Sequence, residues 1–64
     1  MYSLTGVDGN AYSLMGYTAD AMKDGGFSKE EIDKMFKEAT SGDYYHLIGV
    51  CDNYINQVNE RLGE

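Results

Sequence analysis

Apolar residues recur along this chain at steps of three and four, broken twice by short glycine-bearing segments, and that rhythm predicts three helices. The first should run from about Ala11 to Lys23, where Ala11, Leu14, Met15, Thr18, Ala21 and Met22 share one face. The second should run from Lys29 to about Ala39, with Ile32, Met35, Phe36 and Ala39 turned inward. The third, from Tyr44 to about Arg61, carries the most regular pattern. Leu47, Cys51, Ile55, Val58 and Leu62 form a seam of near-heptad spacing, broadened by Ile48 and Tyr54. Ahead of the helices, Tyr2 and Leu4 alternate with polar neighbours, the pattern of a short extended arm over residues 1–9 lying across them. The expected fold is all-α: one small three-helix domain with an N-terminal arm.

The breaks carry their own grammar. Ser28 followed by Glu31 is a capping box, and Phe27 and Ile32 have the spacing of a hydrophobic staple around it. Gly25-Gly26 supplies a residue free to take positive φ where the preceding helix stops. Asp43 is a good cap for the third helix, and either Asp8 or Asn10 can cap the first. Asp8-Gly9-Asn10 lacks the ladder of acidic ligands and the closing Glu of a calcium loop, so it reads as turn and cap. Gly16 inside the first helix weakens it against alanine, which marks a place where a backbone or a partner approaches closely.

Length changes the picture next. A chain of 64 residues buries only about 60% of its unfolded surface, and domains this small are usually reinforced by disulfides, metal or a partner chain. Cys51 is the only cysteine and His46 the only histidine, which excludes an internal disulfide and a four-ligand zinc site. Self-association remains. The seam Leu47, Cys51, Ile55, Val58 and Leu62 is therefore the expected contact of a homodimer.

Five basic residues stand against eleven acidic ones, for a net charge of −6. That balance argues against direct nucleic-acid binding and against an anionic membrane surface. It favours docking on a basic surface of another protein. No apolar run approaches a membrane span, and the N-terminus has no basic or apolar segment of signal type, so a cytoplasmic location is expected. Catalytic chemistry is thin. His46 has only Asp43 nearby in sequence, and that residue is better used as a cap. Cys51 lies on the apolar seam, the glycines form no phosphate loop, and no cofactor is implied. The expectation is a protein that is not an enzyme.

Six tyrosines without a tryptophan are a high aromatic load for this length. Tyr44 and Tyr45 are adjacent, so on a helix they cannot both face one core, and at least one should be exposed or at an interface. With Asp43, His46 and Asp52 on the same helix and Tyr12 on another, they are the candidate binding residues.

Three segments in order resemble small proteins encoded in bacterial phages, prophages and other mobile elements. They are Asp8-Gly9-Asn10-Ala11-Tyr12, Gly26-Phe27-Ser28-Lys29-Glu30-Glu31-Ile32 and Ser41-Gly42-Asp43-Tyr44-Tyr45-His46-Leu47. The resemblance implies a mobile-element origin and a bacterial host cell. By analogy with small acidic phage proteins, it implies a stoichiometric inhibitor of a host protein, foremost one of an anti-phage defence system. Two other functions are open: sequestering a small signalling nucleotide through Asn10, Tyr12, Tyr44 and His46, or an accessory role in a mobile element without inhibition.

Overall fold

A computed structural model describes residues 1–63. It contains three helices, α1 (Ala11–Asp24), α2 (Lys29–Ala39) and α3 (Tyr44–Arg61), and no strand among the described residues. No helix is long and apolar enough to cross a membrane.

Local chemistry sets each helix end. Asn10, not Asp8, caps α1: its side-chain oxygen accepts from the Tyr12 and Ser13 N–H groups, while Asp8 accepts from the N–H of Asn10 at 2.9 Å. At the other end of α1 the Phe27 N–H donates to the Met22 carbonyl at 2.9 Å and the Gly26 N–H to that of Lys23 at 3.1 Å. These are the two bonds of a Schellman motif, and they require the positive φ that Gly26 adopts (+80°). The chain then enters α2 through the complete capping box of Ser28 and Glu31, at 3.0 and 3.1 Å. Phe27 and Ile32 are both buried across it.

The helices pack with α3 at the centre. Gly9 meets Tyr44, Thr18 lies beside Cys51, and Gly25 lies against Val58, so α1 and α3 run in the same direction. On α2, Glu31 near its start reaches Arg61 and Glu38 near its end reaches His46, so α2 runs the opposite way along α3. α2 touches α1 least. Leu47, Cys51, Ile55 and Val58 are all at most 5% exposed, covered within one chain by Leu14, Met22, Met35 and Ala39 among others. Four of the five residues expected to form a homodimer seam are thus buried within the single chain. Each such burial contributes roughly 1.5–3 kcal/mol, and all four are already used in the single chain. Leu62, the last residue of the predicted seam, is the C-cap of α3 and is 40% exposed, outside the core.

The arm adds a third covering element to α3. Tyr2, Leu4 and Val7 are partly buried against the core. The Tyr2 N–H donates to Asn59 Oδ1 and Asn59 Nδ2 donates back to the Tyr2 carbonyl, both at 2.9 Å. The buried Asn59 amide thus pairs with the arm as a neighbouring strand would. The Tyr2 hydroxyl donates to Asp24 at 2.7 Å, Ser3 N–H donates to the Tyr17 hydroxyl at 2.9 Å, and the Tyr2 and Tyr17 rings meet edge to face. The arm is not one extended segment, however. Val7 N–H donates to the Leu4 carbonyl, closing a turn whose third residue, Gly6, has φ +85°. Among the described residues no buried side-chain nitrogen or oxygen lacks a partner. At Gly16 a built Cβ meets nothing within 4 Å, so no close approach of this chain's own backbone explains it.

Two outcomes follow from these contacts. Asn59→Ala strands both polar groups of Tyr2 and should lower unfolding free energy by about 1–3 kcal/mol, read by urea denaturation. Hydrogen exchange at the Tyr2 amide should accelerate in the same variant. Glu31 is held below the ordinary glutamate range, chiefly by the Ser28 backbone N–H, then by the Ser28 hydroxyl, with a smaller contribution from Arg61. A depressed carboxylate stabilises the fold above its unfolded pKa and loses that contribution as pH falls through its folded pKa. Stability should therefore drop on acidification below the ordinary glutamate range. Glu31→Gln keeps a capping side chain that does not titrate, and it should flatten that part of the acid-unfolding profile.

Candidate docking end

One end of the molecule gathers three helix termini: the starts of α1 and α3 and the finish of α2. A cleft of about 340 Å³ opens there, lined by Ala11, Tyr12, Met15, Ala39, Thr40, Gly42, Asp43, Tyr44 and Leu47. Its floor is aliphatic and its rim is aromatic and acidic.

Tyr12, in the first turn of α1, is 81% exposed. Tyr45 is equally exposed, and its ring meets that of Tyr44 edge to face with centroids 6.1 Å apart. Tyr44 is 43% exposed because its hydroxyl donates to the Gly9 carbonyl, tying the start of α3 to the turn before α1. Adjacent tyrosines thus divide their work as expected for a helix: one anchors a loop and the other faces solvent. Asp43 caps α3, accepting the His46 N–H at 2.9 Å through Oδ1. No hydrogen bond within the described chain engages its Oδ2.

His46 and Asp52 belong elsewhere. His46 Nε2 lies 2.8 Å from the Glu38 carbonyl, which can only accept, so the imidazole carries its proton on Nε2 and donates it. Ser41 donates to the same carbonyl through its N–H at 3.2 Å and its hydroxyl at 2.7 Å. The imidazole therefore closes the C-terminus of α2, where the helix dipole also favours a donor. Gly42 exists for this packing, since a Cβ there would sit 2.8 Å from the His46 ring. Asp52 lies two turns along α3 from Tyr45 and lines a separate polar cleft with Tyr2, Ser3, Asn56 and Asn59. The structure thus joins Tyr12, Asp43 and Tyr44 at one cleft, keeps Tyr45 beside them, and removes His46 and Asp52 from it. Of the aliphatic floor, Ala11, Met15 and Ala39 were not foreseen as a site because each reads first as core, and Leu47 was expected in a homodimer seam instead.

The other reactive groups have structural roles. Cys51 is fully buried, and burial pushes its thiol pKa up, with the neighbouring Thr18 hydroxyl acting in the opposite direction. Burial and the neighbouring Glu38 carboxylate raise the Tyr54 phenol, whose hydroxyl donates to Glu38 at 3.3 Å. Arg61 lies 3.5 Å above the centre of the Phe27 ring and also reaches Glu31, closing the far end of the core. Of the groups considered for nucleotide binding, Asn10 is engaged in capping and His46 faces a carbonyl, and no cationic side chain lines the cleft. Among the described residues no cluster of His, Cys, Asp or Glu could hold a metal ion.

No family model matches this chain, and no curated protein or solved structure is significantly similar to it.

The two glycines above separate by what surrounds them. Gly42→Ala forces its methyl onto the imidazole and should destabilise by about 1–3 kcal/mol. Gly16→Ala fills open space inside a helix and should stabilise by about 0.5–1 kcal/mol. Urea midpoints of the two variants against the native chain check both signs.

Proposed function

We propose that this protein is a non-enzymatic binding protein of mobile-element origin that docks on a basic surface of a bacterial host protein and inhibits it. A component of an anti-phage defence system is the foremost target. The observation that carries this reading is the exposure of Tyr12 and Tyr45, each 81%, beside Asp43 at the end where the helix termini meet. Tyrosine is enriched at protein interfaces because it offers a large apolar body and a polar tip. Here neither ring is needed by the core. Every lysine and arginine of the chain lies within residues 23–37 or at Arg61, so the stretches that build this end, apart from the finish of α2, contain none. A basic partner is thus met without like-charge repulsion. The segment resemblance supplies the setting, since two of its three motifs, around Asn10-Ala11-Tyr12 and around Asp43-Tyr44-Tyr45, form this same end.

Expression of the native protein should restore phage plaquing on cells that carry the targeted defence system. The double variant Tyr12→Ala/Tyr45→Ala should fold with an unchanged melting temperature and fail to restore plaquing. It should also fail to retain the host protein that the native chain captures from lysate. Plaquing unaffected by the native chain across defended strains would refute the inhibitory role. Equal rescue by the double variant would move the docking surface elsewhere.

A further inference from the structure

We infer that the cleft between Tyr12 and Tyr44 is a receptor for a single arginine side chain presented by the partner protein; this rests on the reading of that end as the docking end. The floor of Ala11, Met15, Ala39 and Leu47 offers an aliphatic surface for the methylene stem, which long basic side chains bury while their charged heads stay at the rim. Tyr12 and Tyr44 stand at that rim, and an aromatic ring face attracts a guanidinium and stacks on its plane. Asp43 supplies the negative charge. Its Oδ1 is engaged by the His46 N–H, which orients the carboxylate, and its Oδ2 remains open to an N–H donor. The Gly9 carbonyl, already accepting from Tyr44, keeps a second lone pair beside the same rim. No lysine or arginine of the chain lines the cleft to compete with an incoming cation. Arginine fits better than lysine because a planar fork of donors can stack on a ring and bond a carboxylate at once, while an ammonium is a more strongly hydrated point charge. An anionic ligand is disfavoured by the same lining.

The test uses the full chain and a blocked pentapeptide with one central arginine between glycines. The matching lysine and citrulline peptides serve as probes of charge and shape. In ¹H–¹⁵N spectra the arginine peptide should shift the amides of Tyr12, Thr40, Gly42 and Tyr44, and leave those of Asn56 and Asn59 in place. The lysine peptide should bind more weakly, and the neutral citrulline peptide should not bind. Asp43→Asn keeps an equally good helix cap, so its spectrum should remain folded while affinity for the arginine peptide falls by about tenfold. Tyr12→Ala, at an exposed position, should lower it by about three- to fivefold. The inference is overturned if the arginine peptide shifts none of these amides, if citrulline binds equally, or if Asp43→Asn binds unchanged. It also falls if a host protein captured by the native chain is held equally by Asp43→Asn, although the docking function would then stand at another surface. Peptide binding of the expected pattern without any effect on phage plaquing supports the arginine receptor and removes only the inhibitory role.

Discussion

The structure depends on how completely so short a chain can cover α3. The helix carries apolar or small side chains at Leu47, Cys51, Tyr54, Ile55 and Val58, and all are buried. α1 and α2 flank α3, and the arm lies along the side of α3 that carries Ile55 and Asn59. Its hold there is polar as much as apolar: the Asn59 amide gives Tyr2 the two backbone bonds that a strand neighbour would give, so the arm's backbone groups are satisfied at a half-buried site. Asn59 is among the few buried polar residues of the fold, and its pairing makes that burial affordable.

Leu47, Cys51, Ile55 and Val58 are buried by the chain itself, so they are not the apolar surface that the size argument asks a partner chain to cover. Small domains are marginal because their cores are small, yet this one offsets that by satisfying its chain reversals densely. The Schellman motif, the capping box, Asn10, Asp43, and the Ser41 and His46 donors on Glu38 together provide partners for the helix-terminal groups that would otherwise be lost to solvent. Each is worth only about 0.5–2 kcal/mol, but they act at every helix junction. Reinforcement of this fold by local hydrogen bonds is concentrated at the helix ends.

The helices and their breaks were legible in the sequence because their signals are local. Ser28 and Glu31 lie three apart, Phe27 and Ile32 five apart, and Gly26 sits where the turn requires its φ. What escaped is the specific bonds that join distant segments. Spacing along α3 gave the stripe its period but not the number of layers that would cover it, so a fully roofed seam resembled an unpaired one. The bond between Tyr2 and Asn59 spans 57 positions, and nothing in either residue announces the other. By sequence, His46 is a candidate binding residue beside the tyrosine pair. Its actual partner is a backbone carbonyl eight residues back, of a kind that no side-chain motif encodes. The tyrosine pair was readable in part: adjacency on a helix demanded that one face outward, and Tyr45 does.

The exposed rings are harder to account for by folding than anything else in the molecule. Tyr2, Tyr17, Tyr44 and Tyr54 each bond or pack against another segment, so their presence follows from stability. Tyr12 and Tyr45 have no such hold on a distant part of the chain, and stability alone would permit a polar helix former at either site. They are nonetheless fixed in place, since each rises from the first turn of a helix whose cap is locked: Asn10 under Tyr12, and Asp43 with the Tyr44 anchor under Tyr45. A tyrosine has only two side-chain torsions to lose on binding, and a rigid backbone beneath it removes most of the remaining entropic cost. The cap residues thus serve twice, completing the helices and fixing the two exposed rings in place, which on the proposed reading lowers the cost of docking.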